Sequence, residues 1–130
     1  DNELQHLEHL ERLKIALGID YDIVCDVNFF DLCTAVNACP GHENQVGQIW
    51  TGILEHLANN VEATCVQPDA LDLLLQLWST AVLKLEFDDN LEVGVWQSDL
   101  IEGDLVLFCN SKGVVDFLGA GEDLQQRIFM

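Results

Sequence analysis

Thiol and imidazole side chains gather between residues 25 and 42, at Cys25, Cys33, Cys39 and His42. Zinc prefers these ligands, but structural zinc sites usually use two close pairs of them, and only Cys39 and His42 form such a pair. Cys33 falls at a helical spacing where a small apolar side chain would serve equally well. Cys39 and His42 could also act as nucleophile and base, although such pairs usually meet through the fold and not at three-residue spacing. We therefore predict neither a metal site nor a catalytic cysteine here.

A short stretch in the last third of the chain, E-G-D-L-V-L-F at residues 102–108, suggests a hydrolase. Over these seven residues the chain resembles the start of a strand in cell-wall peptidases of the NlpC/P60 type. The resemblance implies a catalytic His on the next strand, where V-V-D-F-L at residues 114–118 offers Asp116 instead. It also implies an upstream nucleophile motif of the D-C-S-G type, which the chain lacks. We therefore predict that the protein is not an enzyme and uses no cofactor.

Calcium is the remaining metal that the sequence suggests, because hard cations prefer oxygen ligands and carboxylates are plentiful. Asp88, Asn90 and Glu92 begin like a calcium-binding loop. Val93, however, stands where the sharp turn of such a loop needs Gly, and Asp99 stands where its twelfth position needs Glu. The pattern leaves at most a weak, unspecific site, and we predict no bound metal.

The most unusual property of the sequence is its charge. It has 23 Asp and Glu residues against 5 Lys and Arg residues, a formal net charge of −18. No Lys or Arg lies between Lys14 and Lys84, and a second interval without cations, residues 85–111, holds seven acidic residues. Disorder is not expected, because 49% of the residues are hydrophobic. Such a charge disfavours direct binding to nucleic acid or to anionic lipid and favours a basic protein partner.

We expect the binding surface in the second acidic interval. Residues two apart on a strand point to the same side about 6.8 Å apart, and residues three or four apart on a helix lie about 5–6 Å apart. These spacings are comparable to those along a phosphate backbone. Trp96 ends an alternating strand and could be a core packing residue, which the pattern favours, or an exposed anchor, and as an anchor it joins the set. The predicted partner-binding residues are Glu86, Asp88, Asp89, Glu92, Trp96, Asp99, Glu102 and Asp104.

Two functions of different classes fit these features. The first is a small acidic, non-enzymatic binding protein that mimics nucleic acid and inhibits a basic nucleic-acid-binding protein or nuclease, as inhibitors encoded by phages and mobile elements do. The second is a helical interaction module or chaperone-like module that binds its partner in an apolar groove, with acidity serving solubility. The sequence does not fix the oligomeric state and leaves a dimer open.

The elements that must position these residues are helices first and strands second, which predicts an α+β fold in a single domain, residues 1–130. Leucines 4, 7, 10, 13 and 17 predict a first helix, residues 26–36 a second, and residues 43–59 a third. Residues 67–85 carry an almost continuous apolar surface and predict the central helix of the core. The pattern L-K-L-E-F and L-E-V-G-V-W predicts a hairpin, and residues 105–109 and 114–118 predict two further strands of an antiparallel sheet.

The five Cys residues show no paired short spacing and follow no secretory segment, so we expect reduced thiols and a cytoplasmic location. No apolar run approaches the roughly 18 residues needed to span a bilayer, so we expect no membrane association.

Overall fold

The computed structural model describes residues 2–129, and of Asn2 only the backbone. It confirms the predicted α+β class, with four helices before the main strands and one short helix after them. In chain order the elements are α1 (Asn2–Leu17), β1 (Val24–Asp26), α2 (Phe29–Asn37), α3 (Val46–Cys65), α4 (Pro68–Leu77), β2 (Val82–Phe87), β3 (Trp96–Ile101), β4 (Asp104–Cys109), a 3₁₀ turn (Ser111–Gly113) and α5 (Leu124–Ile128).

The sheet has four strands in the order β1-β2-β4-β3, and it is mixed, so the predicted antiparallel sheet is wrong. β1 pairs with β2 and β2 pairs with β4 in parallel, while β3 and β4 form an antiparallel hairpin. The predicted hairpin between residues 83–87 and 91–96 does not form, because the partner of β2 is β4. Alternation along the chain identifies strands but says nothing about which strands become neighbours.

Residues 114–118, predicted as a strand, form turns instead. β4 already has β2 on one side and β3 on the other, so no sheet edge is available beside it. Val114 is fully buried and Phe117 lies against Gly52 of α3, so this segment contributes side chains to the core without pairing its backbone in the sheet.

The central helix of the core is α3, and not the segment 67–85 as predicted. α3 packs against α1, α2, α4 and α5, and Ile53, Leu54, Leu57, Ala58 and Val61 are fully buried. It continues beyond Asn59 and Asn60 to Cys65, because both Asn side chains find partners: Asn59 Oδ1 accepts from Arg12, and Asn60 Nδ2 donates to the carbonyls of His56 and Ala120.

The predicted helix 67–85 splits into α4 and β2. Pro68 begins α4 as predicted, but the helix ends at Leu77, and Trp78 Nε1 donates to the Val82 carbonyl 2.8 Å away. Ala81 then takes a left-handed conformation with φ 59° and leads into β2. No Gly or Pro marks this break, so the apolar pattern of the sequence does not indicate where α4 ends.

The leucine stripe of α1 is only half buried. Leu13 and Leu17 are in the core, but Leu4 and Leu7 are 67% and 58% exposed. The face turned to α3 carries His6, whose Nε2 lies 3.1 Å from the Gly47 carbonyl. In this part of α1, His6 therefore contacts α3, while Leu4 and Leu7 remain exposed.

Candidate functional site

The sheet has an inner face in the core and an outer face that the core does not contact. Residues paired in register point to the same side of a sheet. Leu83, Leu105 and Leu107 point inward and are fully buried in the core. The alternate residues form what we call the outer face: Val24, Asp26, Val82, Lys84, Glu86, Gln97, Asp99, Ile101, Asp104, Val106 and Phe108.

One row of the outer face crosses all four strands. It runs from Asp26 through Lys84 and Val106 to Asp99, each residue being the register partner of the next. Neighbouring strands are about 4.8 Å apart, so the backbones of Asp26 and Asp99 are about 14 Å apart. Glu86 lies in the next row beside Phe108. The outer face therefore places four acidic residues, these three and Asp104, around an apolar centre.

That apolar centre is separate from the main core. Val106 is only 3% exposed, because its neighbours on the outer face cover it. It is nevertheless not part of the main core. At the rim, Val24 and Ile101 are 54% and 42% exposed. An apolar centre surrounded by a polar rim is the arrangement found at protein interfaces.

The only cation of the outer face, Lys84, is already paired. Its Nζ lies 3.1 Å from Asp104 Oδ2, and Asp104 Oδ1 accepts a hydrogen bond from Thr80 Oγ1 at 2.6 Å. The hydrogen bond from Thr80 and the contact with Lys84 lower the pKa of Asp104. Asp104 raises the pKa of Lys84, and the charges of Asp26 and Glu86 raise it further. Asp104 is therefore engaged within the fold.

The carboxylates of the β2–β3 loop build that loop. Asp88 Oδ1 accepts from the Asn90 backbone N–H at 3.0 Å, and Asp89 Oδ1 accepts from both the backbone N–H and the hydroxyl of Ser111 at 2.8 Å. These bonds from Ser111 lower the pKa of Asp89. Glu92 is exposed in the same loop. Asp89 has a structural role here, whereas Glu92 extends the acidic surface beyond the end of β2.

Two predicted residues lie away from the others. Glu102 occupies the β3–β4 turn, at the opposite end of the sheet from Asp88 and Glu92. Trp96 points inward, is 6% exposed, and donates from Nε1 to the Asp116 carbonyl at 2.7 Å. The expectation of an exposed Trp96 anchor is therefore wrong, and its alternative as a core residue describes its position.

Asp26 is not among the predicted partner-binding residues, because it falls at the start of the predicted second helix, residues 26–36. That helix begins instead at Phe29, and Asn28 caps it by accepting from the Asp31 backbone N–H at 3.1 Å. Asp26 instead ends β1 and enters the outer face because β1 pairs with β2. The β-branched residues Ile23 and Val24 are typical of a strand, but the pairing joins residues almost sixty positions apart.

A groove between α2 and β2 was also missed. It consists of two adjoining clefts that share Asp31 and Phe87 in their walls. The first, of about 520 Å³, is bordered by Asp26, Asp31 and Glu86. The second, of about 610 Å³, is mainly apolar and is lined by Ala35, Ala38, Cys39, Pro40 and Phe87.

The Cys and His residues considered as zinc ligands have other partners. Cys39 Sγ contacts the Ala35 carbonyl at 3.4 Å, and His42 Nδ1 lies 3.0 Å from Gln45 Oε1. Cys25 is on β1, and burial raises the pKa of its thiol to about 11. Across residues 2–129 no group of three or more His, Cys, Asp or Glu side chains is arranged to hold a metal ion. All five cysteines are free thiols.

Comparison of the chain with protein-family models, with curated proteins and with solved structures finds no match. Within the described part of the chain, every helix is too short or too polar to cross a membrane.

Proposed function

We propose that this protein is a small non-enzymatic binding protein whose acidic outer face binds a basic protein partner. The observation that carries the proposal is the set of exposed carboxylates at Asp26, Glu86 and Asp99, on a sheet face that the core does not contact. Opposite charges across an interface steer association and select the partner. The five free thiols fit a cytoplasmic setting, where thiols stay reduced.

The apolar centre of the outer face supports binding over mere solubility. Interfaces combine an apolar centre with a polar rim, and Val106 and Phe108 lie between the acidic residues in this way.

The sharper form of the proposal is a mimic of nucleic acid, an inhibitor of a basic nucleic-acid-binding protein or nuclease of the kind encoded by phages and mobile elements. Each strand of the outer face carries one acidic residue, Asp26, Glu86, Asp99 or Asp104. Neighbouring strands lie about 4.8 Å apart and residues two apart on a strand about 6.8 Å apart, so these carboxylates lie on a grid with spacings comparable to those along a phosphate backbone. Lysines or arginines that hold phosphates could meet them without rearranging.

Competition tests the sharper form. A partner captured with this protein should bind either the protein or DNA or RNA, but not both, and added nucleic acid should release it. Simultaneous binding would contradict the mimic and leave a basic partner that uses another surface. A captured partner without a basic surface would contradict the proposal as a whole.

The second candidate function is the interaction module or chaperone-like module with an apolar groove. The mainly apolar cleft beside α2, about 610 Å³ in volume, favours it. Such modules are often dimers, so gel filtration with light scattering provides a first test. A dimer whose partner binding is insensitive to salt would favour this function over the acidic face.

A further inference from the structure

The sheet has an unfilled position beside β2. β1 pairs only with Val82, Leu83 and Lys84, and it ends at Asp26. β2 continues through Leu85 and Phe87, and in the described chain no strand pairs with this second half of β2 on the β1 side. A sheet edge with unpaired N–H and C=O groups is a template for pairing with another chain.

The backbone of β2 presents hydrogen-bonding groups to this gap. The Ala81 carbonyl accepts from Val24 N on the β1 side, and Asp88 N donates to the Cys109 carbonyl on the β4 side. Successive residues of a strand direct their backbone groups to alternate sides, so odd-numbered residues face β1 and even-numbered residues face β4. The Leu85 carbonyl and both backbone groups of Phe87 therefore face the gap.

The groove between α2 and β2 occupies the place where β1 would continue. Its first cleft is bordered by Asp26 and Asn28 at the end of β1, by residues 84–87 of β2, and by Asp31 of α2. α2 has 9 residues and is therefore about 13.5 Å long. An extended chain advances about 3.3 Å per residue, so a peptide of about four residues would fill the groove along α2.

The two sides of the groove differ in chemistry. Asp26 and Glu86 lie on the outer face, and the one cation beside them, Lys84, is held by Asp104. The side toward α2 is mainly apolar, with Ala35, Ala38 and Phe87 in its wall, and Asp31 and Lys112 also line it. Side chains of a strand alternate between the two faces of a sheet. A strand in this position would therefore place alternate side chains against carboxylates and against apolar groups.

We infer that the groove binds an extended segment of a partner protein as an added strand beside Leu85–Phe87, with basic and apolar side chains in alternation. This inference rests on the proposed basic partner and specifies how a part of it binds. Strand addition takes affinity from main-chain hydrogen bonds and specificity from pockets for alternate side chains. The carboxylates of Asp26 and Glu86 would select lysine or arginine on one side of the strand, and the apolar cleft would select residues such as valine or leucine on the other.

The test uses an acetylated and amidated hexapeptide in which valine and arginine alternate. Added at low salt to the ¹⁵N-labelled protein, it should shift the backbone amide signals of Leu85–Phe87 and of α2. Replacing its arginines by glutamate, or its valines by serine, should weaken binding at least about tenfold, because each change removes one side of the match. Methylating the backbone nitrogens of one alternate set of residues should abolish binding, while methylating the other set should leave it, because only one set faces β2.

Protein variants separate this groove from the outer face in general. Ala38→Glu places a negative charge in the apolar cleft and should weaken binding of the peptide at least about tenfold. Gln76→Glu at an exposed position of α4, which adds the same negative charge elsewhere, should leave binding of the peptide within about twofold. Asp99→Asn, on the outer face but outside the groove, should also leave it nearly unchanged.

Two outcomes would overturn the inference. One is peptide binding that is indifferent to Ala38→Glu and to both methylated sets, with signal shifts centred on Asp99; the acidic outer face would then stand without strand addition. The other is the absence of any shift at Leu85–Phe87 at millimolar peptide. The assay in which nucleic acid and this protein compete for a captured partner does not depend on either peptide result. A failure of strand addition in the groove can therefore be distinguished from a failure of the proposed function.

Discussion

The close contact between Gly52 and Phe117 predicts that an alanine at position 52 destabilises the protein. Gly52 lies in the buried middle of α3, and a Cβ built on it would overlap the ring of Phe117. His56, one turn further along, contacts the same ring with centroids 5.5 Å apart. The missing side chain of Gly52 thus provides the space in which the 114–118 segment packs on the central helix.

The size of the effect follows from two opposed contributions. Alanine favours a helix over glycine by about 1 kcal/mol. An extra methyl group in a packed core costs about 1–3 kcal/mol, and the overlap with three ring atoms puts Gly52→Ala near the upper part of that range. We expect the free energy of unfolding to fall by about 1–2 kcal/mol.

Urea unfolding followed by tryptophan fluorescence measures this change, and a second background isolates its cause. In Phe117→Ala, where the ring is absent, Gly52→Ala should be neutral or stabilising by up to about 1 kcal/mol. The two substitutions should therefore show a coupling energy above about 1 kcal/mol. An increase of the unfolding midpoint by Gly52→Ala in the wild-type background, or the same effect in both backgrounds, would refute the packing argument.

Further predictions concern the core, a turn, an ion pair and the thiols. Trp78→Ala should lower the free energy of unfolding by about 3–5 kcal/mol in the same urea assay, because the ring is buried and its Nε1 bonds to a carbonyl. Glu102 has φ 53° and precedes Gly103 at φ 87°, and two-residue turns of this kind favour asparagine in the first position, so Glu102→Asn should raise the free energy of unfolding by about 0.5–1 kcal/mol. The hydrogen bond from Arg12 lowers the pKa of Glu62 below 4.5. The stability that this pair contributes is therefore present above pH 4.5 and is lost as the pH falls through the lowered pKa. In Arg12→Gln, an NMR titration should show the pKa of Glu62 returning toward 4.5. Burial raises three thiol pKa values to about 11, 11 and 12, so alkylation at pH 8 followed by mass spectrometry should find slow reaction at Cys25, Cys65 and Cys109.

The sequence predicted elements better than their boundaries and neighbours. The start of α4 at Pro68 could be read directly, because a missing N–H costs nothing in a first turn. The end of α4 could not be read from the sequence, because the break after Leu77 depends on the hydrogen bond from Trp78 to the Val82 carbonyl and on the left-handed conformation of Ala81. These are interactions formed by the tertiary structure, and the apolar pattern continues through them.

The candidate site was predictable in part for a related reason. Density of acidic residues identified Glu86 and Asp99, which both reach the outer face by the simple alternation of a strand. Asp26 belongs beside them only because β1 pairs in parallel with β2, a long-range contact that no local pattern encodes. Density also could not show that Asp89 and Asp104 are engaged by Ser111 and Lys84.

The central claim is that the outer face, and not the net charge alone, binds the basic partner. Association rates with the captured partner test it most directly, measured at low salt for two variants that each remove three negative charges. The first neutralises the outer face (Asp26→Asn, Glu86→Gln and Asp99→Asn), and the second neutralises three exposed acids elsewhere (Glu8→Gln, Asp20→Asn and Asp72→Asn).

Electrostatic steering by a charged surface raises association rates by about 10- to 1000-fold. The outer-face variant should therefore associate at least about tenfold more slowly than the wild type, with a weaker dependence on salt, while the second variant should stay within about twofold. Equal slowing by the two variants, or no slowing by the first, would contradict the claim.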